Sequence, residues 1–301
     1  MNKKVQRNFI LGDSWLYYKI YTGPKTSDIV LTEIIKPVAE QLIVNNFIDK
    51  WFFIRYADPK HHIRVRFHYT KPEYIGVIIN SLYPYFKKNV EQDLIWKIQT
   101  DTYQRELERY GKNTMELAES LFYYDSKMVV DFIDMIEGVE GEELRWLFSL
   151  RVIDSLLNSF KYTDEEKKNL LISMSVNFRS EFDSSKFLGK QLNDKFRIER
   201  KKLEAFMEFK KEGNLDYVSV LEAIEEKEIN IANTVAEILK IKKENNLQIP
   251  INNLMSSSIH MLMNRLFKSK NRLHEMVCYD FLCRYYKSII ARKKGVLKTR
   301  S

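Results

Sequence analysis

The chain has 301 residues, 45% of them apolar and 30% charged, which excludes disorder over most of its length and fits one to two folded domains. Its 49 Lys and Arg against 41 Asp and Glu give +8, yet residues 284–301 carry seven bases and no acid, leaving 42 against 41, or +1, over residues 1–283. Such a run is expected to solvate a helix end rather than bind nucleic acid, and no stretch of about 18 apolar residues exists to cross a bilayer, so a cytoplasmic protein without a membrane partner is expected.

Trp15–Tyr21 is an aromatic-rich strand stopped by Thr22-Gly23-Pro24, and it is a candidate open edge for an added peptide strand. Thr26, Ser27 or Asp28 is expected to cap a helix with Ile29, Val30, Ile34, Val38 and Leu42 at helical spacing, kinked at Pro37. Lys50–Tyr56 and His62–Tyr69 then read as a β-hairpin around residues 57–61. Alternation puts Ile63, Val65, Phe67 and Tyr69 on one face and His62, Arg64, Arg66 and His68 on the other. A helix near residues 72–88 leads to a strand over Leu94–Thr100, with Trp96 and Ile98 alternating against Lys97 and Gln99.

From about residue 113 the period becomes 3.6. Asn113 with Glu116 and Thr163 with Glu166 resemble capping boxes, opening helices to about Tyr124 and Phe182. Further helices are expected over Glu142–Phe160, Lys186–Lys211, Tyr217–Lys243 and Ile251–Arg292, the last two each broken once. Cys278 and Cys283 are too few for a disulfide scaffold and are expected as buried thiols. The fold class is α+β: an N-terminal mixed or antiparallel sheet with helices over residues 1–112, then a mostly helical part over 113–301, within one domain.

No Gly-rich phosphate loop, Gly-x-Ser-x-Gly elbow, Cys-x-x-Cys or His-Glu-x-x-His occurs. His61 and His62 point apart on a strand, so neither a metal nor a cofactor is expected. What remains is cationic. Arg64 and Arg66 lie on one strand face, about 6 to 7 Å apart, a spacing that lets two guanidinium forks hold neighbouring carboxylates. His260 lies in an otherwise apolar helical face beside Met261, Asn264 and Arg265.

Read in order, Trp15–Tyr21, Phe53–Pro59, His62–Phe67, Tyr103–Glu106 with Arg109–Gly111, Glu119–Ser126 and Ile259–Met261 with Asn264 and Arg265 resemble the glutamate-elimination domain of class I lanthipeptide dehydratases and the stand-alone thiopeptide-type bacteriocin biosynthesis proteins. One departure is Lys112 where the family commonly has a second glycine. The resemblance implies a lyase that removes glutamate from glutamylated Ser or Thr of a ribosomally made precursor peptide, giving dehydroalanine or dehydrobutyrine. It implies His260 as acid/base and Arg64, Arg66 and Arg105 as catalytic, anion-binding groups, with Glu106, Asn264 and Arg265 also at the substrate. It implies a separate partner protein that glutamylates the peptide from glutamyl-tRNA, with no direct nucleic-acid contact. Two alternatives remain: a pyridine-forming cycloaddition enzyme of thiopeptide biosynthesis, and a non-catalytic peptide- or RNA-binding accessory protein.

Overall fold

The computed structural model describes residues 5–136, 138–181, 186–211 and 217–298. The chain divides into two compact units, one built from the chain up to Met135 with Ile229–Ser269, the other from Ile136–Glu228 with the chain from Lys270 onward. Helices outweigh strands, and the strands all belong to the first unit, so the layout is α+β.

In the first unit, strands β2 (Trp15–Thr22), β3 (Lys50–Tyr56), β4 (His62–His68) and β5 (Ile95–Thr100) form an antiparallel sheet in the order β3-β4-β2-β5, and β1 (Asn8–Phe9) pairs with β6 (Tyr103–Gln104). β2 is therefore interior, flanked by β4 and β5, and cannot serve as the open edge its composition suggested. A cluster of bulky aromatic and branched residues favours a fully paired, two-sided strand as much as an edge.

The alternation of β4 holds. Ile63, Val65 and Phe67 are fully buried on one face, beside Leu16 and Ile20 of β2. Arg64 and Arg66 share the other face with Lys19 and Tyr17 of β2 and with Ile54 and Phe52 of β3, their directly opposed partners. In β5 the register slips between Tyr21 and Thr22, so that Lys97 opposes Tyr21 and Ile95 opposes Thr22. Trp96 is the extra residue of that bulge and stands 48% exposed, not in phase with Ile98 as simple alternation required.

Helix α1 (Thr26–Val30) runs into a π-helical turn over Leu31–Ile35 and then α2 (Lys36–Val44), with Pro37 in the first turn of α2. The expected kink is thus a π turn just before the proline, which has no N–H to give the preceding turn. The expected side-chain cap is not there: Lys25 is the N-cap, while Ser27 and Asp28 instead hold the Arg55 side chain. α3 (Tyr74–Glu91), α4 (Leu107–Tyr110) and α5 (Met115–Met135) follow. Asn113 does not close a capping box with Glu116; its amide donates to the Asn246 carbonyl at 2.7 Å. Helix α10 (Ile251–Leu266) starts after Pro250 and completes the unit.

The second unit holds α6 (Gly138–Ser159), α7 (Asp164–Glu181), α8 (Lys186–Glu208) and α11 (Asn271–Lys298), while α9 (Val218–Lys243) begins in it and ends in the first. α9 is unbroken, unlike the expectation of a break, whereas Ile251–Lys298 does divide, at Phe267–Lys270. The Thr163 box forms in full: Thr163 N–H donates to Glu166 Oε2 at 2.8 Å and Glu166 N–H to Thr163 Oγ1 at 3.3 Å. The end assigned to α7 at Phe182 lies outside the described residues. Four basic side chains of α11 meet acids of the same unit, with Arg284 on Asp280, Arg292 on Glu204, Lys293 on Asp164 and Lys294 on Glu165. Cys278 and Cys283 are buried thiols, as expected. No described helix is long and apolar enough to cross a membrane.

Candidate active site

The polar face of the sheet, the segment from Asp101 to Arg109 and one face of α10 enclose a cavity of about 500 Å³. Arg64, Arg66, Arg105, Glu106, His260 and Asn264 all line it, although they come from parts of the chain up to 200 residues apart. Arg265 lies deeper, on the wall of a smaller pocket that adjoins the cavity.

The cations around this cavity fall into two groups. Arg7 is bound to Glu108, Lys19 to Asp101, Arg109 to Glu106 and Arg105 to Glu119. Arg64 and Arg66 have no carboxylate of any described residue within ion-pair distance.

Arg66 is 7% exposed, with its guanidinium 4.3 Å from the Tyr17 ring centroid, 4.8 Å from Tyr103 and 5.1 Å from Phe52. Its Nε is buried without a hydrogen-bond partner. Burial holds its pKa below the usual arginine range, with the Arg64 charge adding to the effect. Aromatic faces return part of the lost hydration, but they do not replace a counter-anion. Arg64 stacks 3.5 Å above the Tyr56 ring centroid and donates from Nε to His62 Nε2 at 3.1 Å. His62 in turn meets the Lys60 carbonyl through Nδ1 at 2.8 Å. Accepting from Arg64 requires a neutral imidazole, in agreement with burial and Arg64 holding its pKa below the ordinary value.

Arg105 is different. Its Nε and Nη2 donate to the two oxygens of Glu119 at 2.7 and 2.6 Å, and Nη1 donates to the Gln6 carbonyl at 3.1 Å. The Tyr103 hydroxyl donates to the same carboxylate at 2.8 Å. Glu119 is 1% exposed, so a buried fork-on-fork pair fixes Arg105 and, through Tyr103, one ring of the cage around Arg66. Sequence reasoning did not single out Glu119 as a site residue. A signal was present: a carboxylate between Ala118 and Leu121, Phe122 on the buried face of α5 demands a buried cation.

His260 sits half-buried on the cavity side of α10. One turn later Asn264 accepts from the Arg55 N–H at 2.8 Å and donates to the Arg55 carbonyl at 2.9 Å, mimicking a neighbouring strand on the edge of β3. Arg55 also donates from Nε to the Arg265 carbonyl at 2.8 Å. These bonds hold the last turns of α10 to the sheet, so the Asn264 amide orients the helix bearing His260. Arg109 at the rim, paired with Glu106 at 3.0 Å, is a further lining cation.

Residues 15–286 match the family model described as "Lantibiotic biosynthesis dehydratase C-term". The chain belongs to this family. It is 26% identical over 269 residues to the nisin biosynthesis protein NisB of Lactococcus lactis subsp. lactis, covering 89% of this chain and 25% of NisB. It is 31% identical over 173 residues to the subtilin biosynthesis protein SpaB of Bacillus subtilis, covering 56% of this chain and 17% of SpaB. The chain thus spans about a quarter or less of these curated relatives. Its fold is that of the tRNA-dependent lantibiotic dehydratase MibB from Microbispora sp. 107891, with a TM-score of 0.71 at 16% identity over 95% of this chain and 29% of MibB. It is also that of the pyridine synthase TbtD from thiomuracin biosynthesis, with a TM-score of 0.64 at 12% identity over 91% of this chain and 99% of TbtD.

Proposed function

We propose that the chain is a glutamate-eliminating lyase acting on glutamylated Ser or Thr of a precursor peptide, with the glutamyl group supplied by a separate tRNA-dependent glutamylating protein. The observation that carries this reading is the pair Arg64 and Arg66, two cations on the cavity wall without a carboxylate partner, one of them buried in an aromatic cage. A buried guanidinium in a cavity that holds no carboxylate for it is a receptor for an anion brought by a ligand.

In the proposed reaction His260 takes the Cα proton of the esterified residue. The Cα–Cβ double bond forms as the Cβ–O bond breaks, and the electron pair leaves on the glutamate carboxylate. Arg64 and Arg66 stabilise that departing charge, Arg105 shapes the wall beside them, and Glu106 offers a carboxylate for the glutamyl ammonium. No cofactor enters. The cycloaddition alternative rests on likeness of fold to TbtD, and it expels no carboxylate that would use the two arginines. The alternative of a non-catalytic peptide- or RNA-binding accessory protein would call for a solvent-facing basic surface, whereas Arg66 is buried and Lys19, Arg105 and Arg109 on the same wall are paired with acids.

The test is incubation with a synthetic peptide bearing one glutamylated Ser. A mass decrease equal to one glutamic acid supports the reading; unchanged mass, or simple hydrolysis back to Ser, rejects it.

A further inference from the structure

Beneath the cavity floor lies a second pocket of about 50 Å³, which shares Ile54, Arg66, Gln104, Glu106 and Met261 with the cavity. That is several times the roughly 10–15 Å³ one water requires, and enough for a carboxylate. Its remaining walls include Phe122, Tyr110 and Arg265.

The polar groups here are left unsatisfied in a consistent way. Arg265 is fully buried; its Nε donates to Ser126 at 3.1 Å, but neither Nη has a hydrogen-bond partner. Its guanidinium lies 5.0 Å over the Phe122 ring, with Asp125 as the nearest carboxylate at 3.9 Å. Arg66 Nε is likewise buried without a hydrogen-bond partner, and no partner meets the buried Tyr110 hydroxyl in good hydrogen-bond geometry, although the Arg265 and Arg109 charges both act on it. Glu106, the acid on this wall, is engaged by Arg109. Two guanidiniums therefore flank one small space with a single distant carboxylate between them in charge balance. Like charges so placed repel each other, and each orphaned N–H has given up hydration without return.

We propose that this inner pocket is a carboxylate subsite, formed by Arg66, Arg265 and the Tyr110 hydroxyl, that receives the side-chain carboxylate of the glutamyl group and so measures its length. This rests on the elimination reading. The ester carboxyl sits with Arg64 and His260 in the outer cavity and the side-chain carboxylate reaches the inner pocket, while Arg66, which lines both spaces, serves the two carboxylates together. A shorter aspartyl group stops before it, and a neutral glutaminyl group fills it without answering its charge.

Three peptides carrying glutamyl, glutaminyl or aspartyl on the same Ser test this. With the parent protein, kcat/KM should fall about 100-fold for the glutaminyl and aspartyl peptides, the scale of two charge-assisted hydrogen bonds. In Tyr110→Phe and Arg265→Lys the glutamyl preference should shrink at least several-fold. Equal rates for the three peptides would overturn the subsite while leaving elimination intact. Should no peptide react, the elimination reading fails, and calorimetric titration of the intact protein decides the subsite separately. Glutarate should then bind about 10-fold more tightly than glutaramate, and Tyr110→Phe should weaken glutarate alone; indistinguishable affinities would overturn it. Tyr110→Phe removes only an oxygen, so it tests the subsite even if Arg265→Lys fails to fold.

Discussion

Glu119 holds Arg105 by both carboxylate oxygens, at 2.7 and 2.6 Å, with the pair almost fully buried. The same carboxylate fixes Tyr103, whose ring stands 4.8 Å from the Arg66 guanidinium. Glu119→Gln would leave a buried guanidinium with only the exposed Glu116 carboxylate, at 3.6 Å, as counter-charge and should cost ~3–5 kcal/mol. Urea unfolding checks this: the midpoint should fall with an unchanged slope, and Arg105→Met combined with Glu119→Leu should recover much of the loss.

Arg66 should behave in the opposite way. Its charge is desolvated and unpaired in the free protein, so replacing it with an apolar residue of similar length removes a burden rather than a support. Arg66→Met is expected to unfold at a urea concentration at or above that of the parent while losing at least 100-fold in elimination rate, ~2.7 kcal/mol at 1.4 kcal/mol per decade. A variant that is both unstable and active would contradict the anion-receptor assignment.

Asn264 binds the edge of β3 through both the N–H and the carbonyl of Arg55. Asn264→Ala exposes two backbone groups to an unsatisfied state and should cost ~1–3 kcal/mol of stability. Since α10 also carries His260, the variant should lower kcat more than it raises KM. Asn264→Asp keeps only the acceptor and should fall between Ala and the parent, a graded series that thermal unfolding and steady-state rates can read together.

The two histidines at the start of β4 make stability depend on pH in a defined direction. His61 and His62 are both held below the ordinary histidine value, chiefly by burial, with Arg55 or Arg64 adding to it. The folded chain therefore binds fewer protons than the unfolded chain. Their contribution is complete above about pH 6.5 and drains as the pH falls through the lowered folded values. Protonation of His62 also removes the acceptor for Arg64 Nε. The urea midpoint should decline from pH 7.5 to pH 5.5, and His62→Gln should flatten part of that decline. An identical pH profile in the variant would contradict the assignment.

Much of this architecture was readable because it is local. The two-residue alternation of β4 announces an oily face and a cationic face, and the 3.6-residue period with Pro250 marks the start of α10. The Thr163–Glu166 box likewise depends on four consecutive residues. What could not be read depends on distant partners. Ser27 and Asp28 leave their helix unaided because Arg55 engages them, and Asn113 reaches Asn246 instead of Glu116. The bulge that turns Trp96 outward is set by register against β2. At the site, the resemblance brought Arg64, Arg66, Arg105 and His260 together, but only the fold separates Arg105, neutralised by Glu119, from Arg64 and Arg66, which have no carboxylate of a described residue at ion-pair distance.

The most direct measurement is the rate at which the intact protein releases free glutamate from a glutamylated peptide, followed with matching formation of the dehydrated product. The parent should release one glutamate per dehydrated residue, and His260→Ala and Arg66→Met should each slow release at least 100-fold while binding of the peptide persists in His260→Ala. Release at the parental rate in His260→Ala, or no release by the parent at all, would contradict the account.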